Sequence, residues 1–376
     1  MTTITNQSYN PASASRLSVD RAWLYRPQTA WFYSHHPSLT FFRGRYYAIW
    51  SNGRRDEDAP GQRVPIASSA DFLNWTDPAP LLDSLPGQQS EQVLTAAGFH
   101  QHNGQLVAYV GSYEYRPECL DEDGERRPGD KGHTNTTLLA VTSRDGVNWT
   151  APADLGLPIV PNHGPQRTAT GRLIVSGNTV YPYTDDPYGL RHWRITGIYP
   201  DAMADTVVDD SEGFWKVRAA AGWPHGLCEG AFYQTDDTVL HMLLRTNTEQ
   251  LWLTESADDG ATWSPPQPAE FSDNATKFHF GRLPDGRFYY VGCPDPEPRW
   301  KRSPLVLSLS EDGRRFDSHY ILADDSTPYR QRAEGMHKGG EYGYPHTFVR
   351  DDCLHTIVSR KKEAVEVLRV RLPEKG

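Results

Sequence analysis

Side chains able to move protons or hold an anion recur in this chain at the head of strand-like runs. The stretch NHGPQRTATGRLIVSGN (Asn162–Asn178) sets Asn162, His163 and Gln166 ahead of an apolar run. YSHHPS (Tyr33–Ser38) does the same with His35 and His36, and Asn-Gly-Arg follows at Asn52–Arg54. Gln92, Glu229, Lys277 with His279, and His346 stand in like positions. Histidine titrates nearest neutrality, so a set of them suits general acid–base work. Arg245, in LLRT, falls on an apolar strand, where a buried guanidinium wants an anionic partner, either Glu229 or a carboxylate brought by a substrate. VYPYTDDPYGLRHWR (Val180–Arg194) has two readings. In one, a tyrosine of the three moves a proton while one of the two arginines neutralises the carboxylate of an acidic sugar; in the other, the segment is a Pro-rich turn with aromatic packing. In GFHQH, His102 precedes an Asn-Gly turn and reads as solvated, which leaves His100, on the opposite face, as the candidate. His133 ends a charged insertion that could overhang such a site.

Several chemistries have no signature. There is no H-E-x-x-H, G-x-S-x-G, P-loop or G-x-G-x-x-G, which disfavours zinc-peptidase, serine-hydrolase, nucleotide and dinucleotide functions. His225 with Cys228, or His279 with Cys293, could hold a structural metal ion, but the spacing is not diagnostic and no cofactor is required. Lys+Arg total 38 against 48 Asp+Glu, and a net charge of −10 argues against a nucleic-acid partner. Cys119, Cys228, Cys293 and Cys353 lie far apart and suggest no disulfide framework. The polar start, MTTITNQSYNPASASRLSVD, lacks an apolar signal core and no membrane-spanning run follows, so a cytoplasmic protein is expected.

The elements that must position these residues are repeats. SRDGVNW (Ser143–Trp149) and SADDGATW (Ser256–Trp263) share Ser, Asp-Gly and a closing Trp; SADFLNW (Ser69–Trp75) and SEDGRRF (Ser310–Phe316) are degenerate copies. Each follows a short β-type run, and Asp-Gly there reads as a tight turn. Six strand–turn–strand units accompany them, with turns at Arg-Gly, Asn-Gly, Thr-Gly, Asp-Asp, Asp-Gly and Asp-Asp, about sixty residues apart, the size of a four-stranded blade. The expectation is an all-β chain: a polar segment over residues 1–19, then a single β-propeller over 20–376 with six or seven four-stranded blades. RLSVDRAWLYR would complete the last blade beside AVEVLRVRL. In a propeller the first residues of the inner strands line one central depression, so the polar residues above would form a composite funnel.

The four Ser/Asp/Trp segments resemble the Asp-boxes of sialidase-like β-propellers. Longer stretches, HHPSLTFFRGRYYAIWSNGRRDEDAPGQRV, NHGPQRTATGRLI, NATKFHFGRLPDGRFYYVG and GYPHTFVRDDCLHTIVSRKKEAVEVLRV, are similar to the propellers that cleave rhamnosyl-α-1,4-glucuronate linkages, a group holding ulvan lyases and a rhamnose-releasing hydrolase. The resemblance covers roughly residues 20–370. It implies seven blades, the extra one near residues 180–220, and β-elimination at a uronic acid, with hydrolysis of the same linkage as the alternative. It implies His35 or His36 and His100 as proton-transfer residues, with His163 close behind. Gln92, Asn162, Gln166 and Arg245 would touch the carboxylate or hydroxyls, and Tyr183 with Arg191 would be the family's Tyr/Arg pair. Lys277, His279, Tyr344 and His346 complete the funnel. The expected partner is an acidic oligosaccharide, with neither nucleic acid nor membrane involved. A sialidase would instead need three arginines around a carboxylate, a Tyr–Glu nucleophile pair and Arg-Ile-Pro near the start, where only Tyr-Arg-Pro (Tyr25–Pro27) occurs. A non-catalytic sugar-binding propeller would need no such set of histidines.

Overall fold

The structure, a computed structural model, describes residues 3–27, 29–127, 132–198, 222–224, 226–335 and 337–375. Among the described residues there is no α-helix, only one 3₁₀ turn (Pro117–Cys119) and six sheets, antiparallel but for one added strand. Two short strands come first, β1 (Ser15–Arg16) and β2 (Val19–Tyr25). The first sheet holds β3 (Tyr33–Phe42), β4 (Arg45–Gly53), β5 (Val64–Ser69) and β6 (Ala79–Leu82). The second holds β7 (Val93–His102), β8 (Gln105–Tyr115), β9 (His133–Ser143) and β10 (Ala153–Asp154). The third is small: β11 (Gln166–Arg167), β12 (Leu173–Ile174) and β13 (Tyr183–Thr184). The fourth holds β14 (Cys228–Gln234), β15 (Leu240–Arg245), β16 (Gln250–Ser256) and β17 (Gln267–Ser272). The fifth holds β18 (His279–Arg282), β19 (Phe288–Gly292), β20 (Leu305–Ser310) and β21 (Ser318–Ala323), with β1 added in parallel at its outer edge. The sixth holds β22 (Tyr342–Arg350), β23 (Cys353–Arg360) and β24 (Ala364–Arg371), and β2 pairs antiparallel with β24.

All six turns read from the sequence join the first two strands of a sheet. First strands also meet across sheets: β3 packs against both β7 and β22, and β18 against both β14 and β22. The expected strand near the N-terminus therefore completes the last sheet. The extra blade expected near 180–220 falls largely on residues 199–221, outside the described ones. The polar start packs on the sheets: Ile4 is buried with Phe271 and Phe316, and Asn6 exchanges hydrogen bonds with Ser272.

All four Asp-boxes form the same circuit, the two degenerate copies included. In each the Ser hydroxyl donates to the Asp carboxylate and accepts the backbone N–H of Phe72, Gly146, Gly260 or Gly313, and in the first two boxes that of the Asp as well. The N–H common to all four belongs to a residue with positive φ, 72–81°, glycine in three boxes and Phe72 in the first. A side chain in that conformation is strained; Phe72 keeps it while burying its ring among Leu39, Tyr46 and Trp50. The same position in the second box could not carry a side chain, since a Cβ on Gly146 would lie 2.2 Å from the Tyr47 hydroxyl of the first sheet. The boxes thus fasten each sheet to its neighbour.

Candidate functional site

The candidate site grows from one irregularity repeated in three inner strands. β3, β14 and β22 each carry a β-bulge, between His35 and Ser38, between Cys228 and Ala231, and between Gly343 and His346. In each, two residues face one on the partner strand, and the first of the two is left-handed: His36 (φ 50°), Glu229 (φ 54°) and Tyr344 (φ 52°). A bulge breaks the inward–outward alternation and re-aims a side chain. Three non-glycine residues held at positive φ are backbone strain of the kind that collects at functional sites.

These three side chains meet. The Tyr344 hydroxyl donates to Glu229 Oε1, and Arg245 Nη1 donates to both Tyr344 Oη (3.0 Å) and Glu229 Oε2 (2.8 Å). The expected Arg245–Glu229 pair is present and buried. The His35 ring lies 3.9 Å from the Tyr344 ring and that of His36 5.1 Å from it. Lys277 Nζ and the Arg302 guanidinium each lie 5.9 Å from the Tyr344 ring. Among the described residues, Lys277 Nζ and two Arg302 nitrogens, Nε and Nη1, have no hydrogen-bond partner, although both residues are buried. Such cations are costly unless an anion reaches them.

Burial and neighbouring charge set the protonation states. Burial pulls the Glu229 carboxyl up, but the Arg245 charge and the bonds from Tyr344 and Arg245 outweigh it and hold Glu229 low, hence ionised. Burial, reinforced by Glu229, pushes the Tyr344 phenol well up. Burial brings Lys277 down to about 7, against the pull of Glu229. Burial also lowers Arg302, helped by Arg245. His35 is held well below its ordinary value by burial and the adjacent His36, Lys362 and Arg302, and burial likewise lowers His36. Both imidazoles are neutral at physiological pH; they can accept a proton or ligate a metal, and they cannot neutralise a carboxylate.

A second group of histidines lies beside Lys277. The His279 ring is 4.9 Å from His346 and 6.0 Å from His163. His279 Nδ1 bonds Thr347 (2.6 Å), and His346 Nδ1 accepts the Leu39 N–H (3.3 Å). Burial and Lys277 bring His163 down to about 4; its Nε2 lies 2.9 Å from the Gly230 carbonyl and its Nδ1 3.2 Å from the Gly164 carbonyl, and the neutral ring donates to one of the two.

Other expected site residues lie elsewhere. The NHGPQ stretch forms a seam between sheets. Gln166 gives its amide N–H to Phe232 O (2.9 Å) and takes the Phe232 N–H (3.2 Å), so both ends of its side chain are occupied by β14. Gly164 lies so close to Gly98 that a Cβ on Gly98 would come within 2.3 Å of the Gly164 nitrogen. His100 pairs with Val107 near the far, turn end of β7 and bonds the Pro187 carbonyl (2.8 Å), away from the Tyr344 cluster. Tyr183 and Arg191 form no pair: Tyr183 is buried with Ile174 and Leu240 beneath the Arg172 guanidinium, whereas Arg191 is exposed. Gln92 occupies the loop before β7 with its carbonyl bonded by Gly61 and Ser84, and Asn162 is half-buried. His225 lies outside the described residues; His279 Nδ1 bonds Thr347, and Cys293 Sγ donates to the Tyr342 carbonyl. Sequence reasoning missed Glu57, Arg302 and Lys362, which come from loops and strand ends with no repeated pattern around them.

Over residues 44–356 the sequence matches the family described as BNR repeat-like domain. No curated protein matches. Among solved structures, the chain is similar to a protein of unknown function from Dyadobacter fermentans (TM-score 0.64, 15% identity, covering 94% of this chain and 99% of that one). It is also similar to a sialidase (TM-score 0.65, 18% identity, 96% of this chain and 33% of that one) and to Trypanosoma rangeli sialidase (TM-score 0.64, 12% identity, 94% and 59%). The chain thus spans about a third and about three fifths of the lengths of those two sialidases. Among the described residues no helix is long and apolar enough to cross a membrane. Most of the chain lies inside the family match, and the Asp-boxes that mark the repeat fold as matched: the chain belongs to the BNR repeat-like domain family.

Proposed function

We propose that the chain is a carbohydrate-active enzyme of the glycosidase type, built as a six-bladed propeller, that takes an acidic sugar at Tyr344. The observation that carries this reading is the Tyr344 hydroxyl held between an ionised Glu229 and Arg245, with two further buried cations, Lys277 and Arg302, close by. Arg302 and Lys277 receive the sugar carboxylate. Tyr344 Oη attacks the anomeric carbon while its proton passes to Glu229, and Arg245 stabilises the negative charge growing on the phenolic oxygen. The glycosidic C–O bond breaks as the leaving oxygen takes a proton from water; the resulting hydroxide equivalent then attacks the anomeric carbon, the bond to Tyr344 Oη breaks, and Glu229 returns its proton to that oxygen. A Tyr–Glu pair is one of the features a sialidase requires, and Arg245 with Arg302 offers two of the three arginines.

A second reading, β-elimination at a rhamnosyl-α-1,4-glucuronate linkage, is favoured by the two neutral imidazoles against the Tyr344 ring. There the same cations would neutralise the uronate carboxylate while His35 or His36 removes the C5 proton. The test is a substrate panel: an aryl α-sialoside, an aryl glucuronide and rhamnosyl-α-1,4-glucuronate oligosaccharides, followed by aglycone release, free rhamnose and ultraviolet absorbance. Aglycone or rhamnose without new absorbance means hydrolysis, rising absorbance means elimination to an unsaturated uronate, and no product from any acidic sugar removes both readings.

The role given to Lys277 has a pH consequence. Its ammonium is faced by Glu229, Tyr344, His163, His279 and His346 and loses its proton near 7. As pH rises through about 7 the cation disappears, so kcat/KM for an acidic substrate should fall, by about tenfold per pH unit beyond that point. Lys277→Met should lower kcat/KM below that pH and remove this limb of the profile. An unchanged profile in the variant would take Lys277 out of substrate binding.

A further inference from the structure

The Tyr344 site has one feature that sugar binding does not explain. The Ser359 hydroxyl lies between the Gly343 carbonyl (3.2 Å) and His35 Nδ1 (2.7 Å) and anchors the ring through that nitrogen. With its proton on Nδ1, donated to Ser359 Oγ, the neutral His35 ring presents a bare lone pair at Nε2. Nε2 is fully buried, has no hydrogen-bond partner among the described residues, and faces Glu57 Oε1 at 3.9 Å. In that tautomer two acceptors face each other in a buried place, an arrangement that a cation between them would satisfy. His36 completes the set: its Nδ1 is anchored by Ser51 Oγ at 3.0 Å, which leaves Nε2 as its ligand atom. One ligand atom from each of His35, His36 and Glu57 lies within 4.8 Å of the others.

We propose that His35, His36 and Glu57 bind a divalent transition-metal ion of the zinc class beside the Tyr344 ring. Two imidazoles and one carboxylate, with remaining positions open, are a donor set such ions take in sites that also admit a substrate atom. Ligands of a tetrahedral ion at ordinary zinc distances sit about 3.3 Å apart, so the three groups close by roughly an ångström on binding. The supporting groups are those a metal site uses: hydroxyls at both Nδ1 atoms fix the imidazoles, and the Tyr33 hydroxyl, 3.2 Å from Glu57 Oε1, orients the carboxylate. The opposing group is Lys362, whose ammonium sits 2.5 Å from Glu57 Oε2 and competes for the same charge. Metal binding stands on this geometry alone. Its function, a further positive charge for the sugar carboxylate, rests on the reading given above.

The test uses the full-length chain and Zn²⁺ and Co²⁺ as probes. Metal content after purification, calorimetric titration of chelator-treated protein with Zn²⁺, and the Co²⁺ visible spectrum are read without reference to activity. The expected result is one equivalent bound, with a Co²⁺ spectrum of low-symmetry nitrogen–oxygen coordination. His36→Ala and Glu57→Gln should abolish it, Ser359→Ala should weaken it about tenfold, and Lys362→Met should tighten it. Lys362→Met keeps all three ligands, so it answers even where the ligand variants fold poorly. Absence of stoichiometric binding to the parent chain, binding unaltered by loss of His36 or Glu57, or weaker binding in Lys362→Met would each overturn the proposal. Failure here with acidic-sugar turnover intact leaves the glycosidase reading standing; binding without turnover does the reverse.

Discussion

Tyr344→Phe should lower turnover of the acidic glycoside that the panel identifies by roughly 10³-fold or more, with little change in KM. The phenolic oxygen is the atom that Glu229 and Arg245 both engage, and a phenyl ring offers neither a nucleophile nor a base in its place. KM changes little because Lys277 and Arg302, the groups assigned to the carboxylate, are untouched. The variant should fold. Arg245 and Glu229 still pair with each other at 2.8 Å, so no charge is left stranded, and the loss is one hydroxyl with its bonds, on the order of 1 kcal/mol. Circular dichroism and thermal unfolding check that half of the expectation. Turnover within a few-fold of the parent would sink Tyr344 as the reacting group and move attention to His35 and His36.

What made Tyr344 hard to weigh from sequence also explains which parts of the chain were legible. Turn chemistry is local: Asn103-Gly104 and Asp285-Gly286 specify tight turns whatever surrounds them, and Ser143 with Asp145 writes a complete hydrogen-bond circuit within a few residues. The repeats followed from such signals, and the pairing of β2 with β24 followed from the repeats. The site depends on three bulges, and a bulge shifts the face on which every later residue lies. His100 and His102 lie two residues apart on β7 beyond its bulge and so share a face, contrary to the expectation that set them on opposite ones, and the His100 ring bonds the Pro187 carbonyl. Polar side chains at a strand start also have a structural use, fixing the backbone of the next sheet, and Gln166 serves it. Tyr183 went astray because an arginine above a tyrosine suits a core margin, here Arg172, as well as a substrate clamp. Glu57 and Lys362 meet across some three hundred residues of sequence, and no local spacing announces such a pair.

The largest stability effect should come from Arg360→Met, which should destabilise the fold by about 3–5 kcal/mol. Arg360 is 1% exposed, and its guanidinium is used on every side: Nε and Nη2 bind Glu341, Nη1 binds Glu366, and Nη2 also reaches the Thr327 carbonyl at 2.9 Å. Glu366 is in turn held by Arg21 of β2 at 2.8 and 2.9 Å, so the network ties the N-terminal strand to the sheet it completes. Removing Arg360 leaves Glu366 its Arg21 partner. Glu341, 5% exposed, keeps only the Tyr329 N–H (2.9 Å) and Lys361 at 3.7 Å, so a buried carboxylate goes largely uncompensated. Arg21→Leu should cost less, about 1 kcal/mol, because Arg21 is partly solvated and Arg360 still holds Glu366. The cost in Arg360→Met comes from the stranded charge more than from the lost attraction, and a second variant separates the two. Arg360→Met with Glu341→Gln removes that charge and should recover a large part of the loss in denaturant unfolding. Equal losses in the single and double variants would mean that Arg360 contributes through packing against Trp23 and Tyr342, over whose rings it lies, and that the network is electrostatically idle.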